Sequence, residues 1–182
     1  MKLYQEFLIG QDSKVEKEIN VTGAIIVKNN DEETKSLLII RRARDDHWPL
    51  VWEFPRGKCD HGDQNKLYEC LKREVKEETG LDVEILKFID KYDYIADEGK
   101  RKSTQYNFLC KMIDPNQAIE LSKEHDDYRW IESAGETELL LPAEMKKTIH
   151  KILNIDIKIT NYPETKEVIE ETQNTWLWLK NF

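Results

Sequence analysis

The chain has 182 residues, 39% of them hydrophobic and 35% charged, with a formal net charge of −8. That is apolar material for one domain with its own core and an appendage, and the expected division is 1–154 and 155–182. No apolar run reaches the length of a membrane span, Met1 to Glu6 lacks the apolar core of a signal peptide, and the acidic balance argues against general nucleic-acid binding because phosphate backbones repel such a surface.

In chain order, Leu3 to Ile9 reads as a first strand. Val21 to Lys28 and Ser36 to Arg42 are β-branched and aliphatic, with the turn-like Asn29-Asn30-Asp31 between them, which predicts a pair of strands. Trp48 precedes a short apolar stretch and either covers a site or plugs the core. That stretch, Trp52-Glu53-Phe54-Pro55-Arg56-Gly57-Lys58, is broken by Pro and Gly. The turn-like Asp60-His61-Gly62-Asp63 follows, and then a helix from about Asn65 to Thr79, stopped by Gly80. Strand, glycine loop and helix form a layout that brings backbone groups close to a phosphate or a metal.

Leu81 to Tyr94 and Thr104 to Ile113 predict two more strands, joined by the polar loop Asp97-Glu98-Gly99-Lys100. Tyr128 to Ile131 is a short strand. Pro142 to Leu153 predicts a helix, with Pro142 in its first turn and Met145, Ile149, Ile152 and Leu153 on one face. Thr165 to Leu179 is a last helical pattern. Trp176, Leu177, Trp178, Leu179 and Phe182 form an apolar end on a polar chain, either folded back on the domain or forming a homodimer contact. Cys59, Cys70 and Cys110 are odd in number and lack metal spacing. They read as reduced thiols of a cytoplasmic protein, Cys70 as a small core residue.

The richest segment is Arg73-Glu74-Val75-Lys76-Glu77-Glu78-Thr79-Gly80-Leu81. Read at about 100° per residue, its three glutamates fall within an arc of roughly 100°, and Glu78 lies on the flank that continues the apolar stripe of Leu67, Leu71 and Val75. Glu74 and Glu78 repel at their four-residue spacing. Either the face is solvated surface, or a counter-cation sits on it. Oxygen ligands of this kind suit Mg²⁺ or Mn²⁺ and not zinc.

Gly57 through Leu81 resembles the Nudix box, the signature of hydrolases that cut nucleoside diphosphates linked to another group. The family pattern runs G-x5-E-x7-R-E-U-x-E-E-x-G-U, with U aliphatic. Gly57 matches its opening, and Arg73-Glu74-Val75, Glu77-Glu78 and Gly80-Leu81 match its second half without a break. Asp63 stands where the first Glu is expected, with two extra residues before Arg73. Counted back from Arg73, Asn65 takes that place. In the family this Glu pairs with the Arg and holds the helix in register. Two further stretches resemble family members. Ile40-Arg41-Arg42-Ala43 through Lys58, with His47 and Glu53-Phe54-Pro55, is similar to the MutT group. Leu121-Ser122-Lys123-Glu124-His125-Asp126-Asp127-Tyr128-Arg129-Trp130 is similar to the asymmetric dinucleoside tetraphosphate hydrolases.

The resemblance implies an α/β/α sandwich around a mixed sheet and a Mg²⁺-dependent pyrophosphohydrolase of a nucleotide, with Mn²⁺ as a possible substitute. It implies metal ligation by Glu74, Glu77, Glu78 and the Gly57 carbonyl, with Glu124 as a further ligand. It makes Glu124 or a box glutamate such as Glu74 the base, with Arg73 beside them. Arg42 falls where the MutT group contacts a purine, and Tyr94 where the tetraphosphatases stack a base. Glu144 falls where the MutT group has a base-reading asparagine. Arg56 and Lys58 flank Gly57 and could bind phosphate oxygens. His125 reads as a hydrogen-bonding loop residue. The substrate expected is a dinucleoside polyphosphate or a nucleoside triphosphate. The alternatives are ADP-ribose or nucleotide-sugar hydrolysis, or a nucleotide sensor without turnover.

Overall fold

Two strands, β1 (Lys17–Asn29) and β2 (Lys35–Arg42), form the expected antiparallel pair, with Val27 opposite Leu37. The computed structural model describes residues 15, 17–29, 35–44, 48–59, 66–97, 99–132 and 139–153. Two very short strands follow, β3 (Trp52–Glu53) and β4 (Arg56–Lys58), then helix α1 (Leu67–Thr79). A long hairpin, β5 (Val83–Ala96) and β6 (Arg101–Met112), leads to β7 (His125–Ile131) and helix α2 (Ala143–Leu153).

The strands make one mixed sheet of order β3-β2-β1-β6-β5, with β4 added to β1 and β7 to β2. β1 runs parallel to β6 from Lys17 opposite Arg101 to Val27 opposite Lys111, and the other pairings are antiparallel. Side chains alternate across the pleat. Ile25, Ile39, Leu109 and Ile131 therefore point to one face, where Met145, Ile149 and Ile152 of α2 cover them. Ala24, Ile26, Leu38 and Phe108 point to the other, under Leu67, Leu71 and Val75 of α1. Leu71 and Val75 are fully buried, each a gain of about 1.5–3 kcal/mol. This is the expected sandwich, with the helical stripe in the expected register.

Helix α1 is fixed unequally at its ends. Lys66 at its N-cap makes no side-chain capping bond. Its other end closes on Gly80, whose φ of 72° is left-handed and suits glycine. The Gly80 amide donates to the Lys76 carbonyl at 3.0 Å, and Lys76 Nζ donates to the Gly80 carbonyl at 2.9 Å.

The sheet forks. β1 and β2 pair only where Val27 to Asn29 meet Lys35 to Leu37. Beyond that, β4 lies on β1, with Thr22 opposite Gly57, while β3 lies on β2, with Ile40 opposite Glu53. Phe54-Pro55 crosses between them, and the Pro55 carbonyl accepts from the Ala24 amide at 2.8 Å.

Several expectations change. β1, β6 and β7 begin at Lys17, Arg101 and His125, earlier than their apolar runs suggest. Cys59 and Cys70 are joined by a disulfide, so only Cys110 keeps the reduced thiol expected of all three. Cys70 is fully buried as expected. Trp48 is 45% exposed and does not plug the core. Leu3 to Ile9, His47, Asp63, Asn65, Thr165 to Leu179 and the C-terminal aromatics lie outside the described residues, as does the segment 155–182. Among the described residues no helix is long and apolar enough to cross a membrane.

Candidate active site

The α1 carboxylates face the fork. Glu78 is only 7% exposed, as its place beside the apolar stripe requires. One of its oxygens accepts from the Arg56 amide at 2.7 Å. Glu74 lies against Gly57 so closely that a Cβ there would stand 1.9 Å from the carboxylate. Any side chain at 57 would displace the Glu74 carboxylate, and the strand can touch the carboxylate row because it has none there. Glu77 is the exposed member, with a side chain 58% accessible. Arg73 binds the row together, donating to Glu74 at 2.9 Å and Glu77 at 3.2 Å, and its other nitrogen donates to the Lys58 carbonyl at 3.2 Å.

Across the fork lies an ionic cluster that sequence reasoning missed. Glu53 is fully buried. It accepts from Arg42 Nη1 at 2.7 Å and from Arg56 Nε at 2.6 Å, and His125 Nε2 stands 3.5 Å away. Burial alone would raise the Glu53 pKa. The charge of Arg56, the hydrogen bond from His125 and the charge of Arg42 overcome it, bringing the carboxyl from 4.5 down to about 2. Glu78 goes the other way. Burial first, then the charge of Glu53 and, less strongly, that of Glu74, push its pKa well above the ordinary value, against the opposing Arg56 amide. A lone carboxylate inside Trp52-Glu53-Phe54 was the available signal, because an ion in an apolar run is buried only when paired.

His125, expected in a loop, is the buried first residue of β7. Its Nδ1 is 3.4 Å from Ser122 Oγ, and its Nε2 is 3.9 Å from Glu78. With Arg56 on Glu53 and the Ser122 amide on the Glu78 carbonyl at 3.0 Å, it joins the two sides of the fork.

The remaining candidates lie around this centre. Glu124 sits on the turn before β7, 65% accessible, 3.7 Å from Arg42 Nη2. Tyr94 is half-buried on β5, with its hydroxyl 3.4 Å from Arg56 Nη1 and the Arg56 guanidinium over its ring. Arg56 also donates to Gln105 at 2.9 Å. Its charge is therefore shared among Glu53, Tyr94 and Gln105. Lys58 is exposed at the end of β4. Glu144 is not drawn into this group: it sits on α2, on the opposite face of the sheet, and accepts from Lys147 at 2.7 Å.

Among the described residues, no three His, Cys, Asp or Glu side chains are set closely enough to hold a metal by themselves. The donors fit a cation that shares its positions with ligand oxygens. Glu78 is a buried carboxyl with no Lys or Arg side chain paired to it among the described residues, and its burial and its neighbours Glu53 and Glu74 disfavour its charge in the absence of a cation. A hard divalent cation held by one or two carboxylates, water and phosphate oxygens matches such a set.

Comparison with known proteins agrees with this geometry. The family model for the NUDIX domain matches residues 19–152. The asymmetrical bis(5'-nucleosyl)-tetraphosphatase of Mus musculus is 32% identical over 130 residues, covering 69% of this chain and 84% of the relative. The crystal structure of the MutT protein from Methanosarcina mazei Go1 superposes with a TM-score of 0.61 at 23% identity, over 75% of this chain and 93% of that one. That of a C. elegans Ap4A hydrolase binary complex gives 0.62 at 23% identity, over 74% and 94%. At that identity the two structures establish the fold.

Proposed function

The chain belongs to the NUDIX domain family, and on that premise we propose how its site works and which nucleotides it takes. It is a hydrolase of phosphoric anhydride bonds that acts on nucleotide polyphosphates. Hydrolases of this family generally use a divalent metal. The observation that carries our reading of the site is the contact of Glu74 with Gly57 in a row with Glu77 and Glu78, with Glu78 buried and, among the described residues, paired to no Lys or Arg side chain.

We assign Glu74, Glu77, Glu78 and the Gly57 carbonyl to Mg²⁺, with Mn²⁺ as a substitute and Glu124 as a further ligand. When bound, such a cation neutralises charge on the phosphoryl oxygens and lowers the pKa of water. Arg73 holds the row in place by bridging Glu74 and Glu77. Glu124, accessible and on a turn, accepts the proton of the attacking water. Lys58 contacts phosphate oxygens from the end of β4. Arg56, already engaged by Glu53 and Gln105, orients Tyr94, which stacks on a base. Arg42, 3.7 Å from Glu124, sets its position.

Glu124→Gln should lower kcat by roughly two or more orders of magnitude, the range of general base catalysis, with KM little changed. Steady-state rates at saturating metal test this. A loss confined to KM would move the base role to Glu74 or Glu77.

Dinucleoside polyphosphates and nucleoside triphosphates are the proposed substrates. This choice is supported by Arg42, Tyr94 and the Leu121-to-Trp130 stretch, and by the tetraphosphatase activity of the Mus musculus relative. Phosphate release with Mg²⁺ from ATP, oxidised dGTP, diadenosine tetraphosphate, ADP-ribose and NADH tests it, and ADP-ribose as the best substrate overturns it. Stacking contributes about 1–3 kcal/mol per base, so Tyr94→Ala should raise KM by about one to two decades with kcat nearly unchanged. An unchanged KM would remove Tyr94 from the base subsite. A cytoplasmic setting, the domain division at 154/155 and a homodimer through Trp176 to Phe182 stand as proposals, the last read directly from the molecular mass in solution.

A further inference from the structure

The Cys59–Cys70 bond lies inside the segment that carries the carboxylate row, and its placement follows a simple geometry. Gly57 and Cys59 are two residues apart in extended chain, about 6.6 Å. Glu74 and Cys70 are four apart on α1, about 6.0 Å and on one helical face. β4 advances as α1 recedes, so the Cys59–Cys70 bond is the next rung beyond the Gly57–Glu74 contact.

Other contacts meet at the same rung. Thr22, opposite Gly57 on β1, has its hydroxyl 3.3 Å from Cys70 Sγ. Arg73 Nη2 reaches the Lys58 carbonyl at 3.2 Å and Cys70 Sγ at 4.0 Å. The Cys59 amide donates to the Asn20 carbonyl at 2.9 Å. Both cysteines are buried. Cys70 is in the first turn of a helix whose N-cap residue makes no side-chain capping bond. The covalent bond therefore anchors this helix start to the strand beside it, one turn from Glu74.

We propose that Cys59–Cys70 is a positioning crosslink that holds the Gly57–Glu74 contact and thereby sets the affinity of the carboxylate row for a divalent cation. This rests on the reading of Glu74, Glu77 and Glu78 as the metal-binding row. Closing the bond oxidises two thiols, which release two protons and pass two electrons to a low-molecular-weight disulfide. That disulfide is reduced to two thiols, by exchange through a mixed disulfide. In the dithiol form, Arg73 on the Lys58 carbonyl and the Arg56 amide on Glu78 are left to tie β4 to α1 at the site.

The test compares the full chain oxidised with such a disulfide, the same chain reduced with a phosphine that is then removed, and the double variant Cys59→Ser, Cys70→Ser. Cys110→Ser, which removes the free thiol and leaves the crosslink in place, is the control. Mn²⁺ binding is followed by the resonance of the free ion, melting by circular dichroism, and thiols by alkylation under denaturing conditions. The oxidised chain should show one reactive thiol and the reduced chain three. Reduction and the double substitution should each weaken Mn²⁺ binding about tenfold, the lower end of what loss of an outer supporting contact costs a metal site. Turnover at saturating Mn²⁺ should change little, and Cys110→Ser should leave the Mn²⁺ affinity and its dependence on oxidation unaltered while lowering each thiol count by one. If the double variant does not fold, the reduced wild-type chain carries the comparison. Three reactive thiols after oxidation overturn the proposal, as does equal Mn²⁺ affinity in both forms, including a fall in melting temperature with affinity unchanged. An oxidised wild-type chain that binds no Mn²⁺ overturns the metal-row reading together with the proposal.

Discussion

Replacing Glu78 with Gln is expected to cut turnover by at least about two orders of magnitude, the scale for losing a metal ligand or its support, while making the metal-free protein harder to melt. Both effects follow from one placement. Glu78 is buried, and its charge is opposed by Glu53 and Glu74. Gln keeps an oxygen to accept the Arg56 amide and removes the crowded charge. The sign of the stability effect follows from the pKa. It is raised in the fold, so the unfolded chain ionises first. Metal-free wild-type stability therefore falls as pH rises from the ordinary value of 4.5 through the raised one. The Gln variant lacks that fall. Relief of the crowded charge should therefore raise the metal-free melting temperature at pH 8 and change it less at pH 5. Melting curves without metal at pH 5 and pH 8 decide the point. A variant that turns over normally at saturating Mg²⁺ sinks the metal assignment, and one that melts lower sinks the crowding argument.

Glu53→Gln should have the largest effect on stability. It leaves the guanidiniums of Arg42 and Arg56 facing an amide. Unmaking a buried ion pair from one side costs about 3–5 kcal/mol, and the lower figure applies because both arginines keep an accessible edge. At roughly 2–4 °C per kcal/mol, the melting temperature should fall by about 6–12 °C. The acid limb supplies a second reading. A carboxyl lowered from 4.5 to about 2 stabilises fully above its unfolded value, and that stabilisation is lost as pH falls through the folded one. Wild type should therefore weaken between about pH 4.5 and 2, and Glu53→Gln should lack most of that decline. Matching acid profiles for the two proteins would show that the Glu53 charge does not serve stability.

What the sequence made legible was what repeats at short range. The stripe Leu67, Leu71 and Val75 placed α1, the flank position of Glu78 foretold its burial, and Gly80 marked the helix end. The β-branched and aliphatic runs of β1 and β2 with the turn between them, and the polar loop between β5 and β6, gave those two antiparallel pairings. β3 and β4 were not separable, because two- and three-residue strands have no period of their own and are defined by partners on β2 and β1. The Glu53 cluster stayed hidden for the same reason. Arg42, Glu53, Arg56 and His125 span 83 positions of the chain, and only the fork brings them together. Nothing local to Cys59 or Cys70 marks them as partners; an odd cysteine count without metal spacing reads equally well as three thiols.

The forked sheet also determines how substitutions should combine. It makes the site a seam between two banks, one built on β1, β4 and α1, the other on β2, β3 and β7. Changes far apart and confined to separate banks should add, as independent sites do. Changes at the stitches, Arg56 with Glu53 and His125 with Glu78, should not, because each stitch is a single shared interaction. A chain with such a seam can vary the bank holding Arg42 and Glu124 and leave the carboxylate row in register, provided the stitches are kept. The route to altered substrate choice in this protein therefore runs through β2 and β7, with Glu53 and His125 held constant.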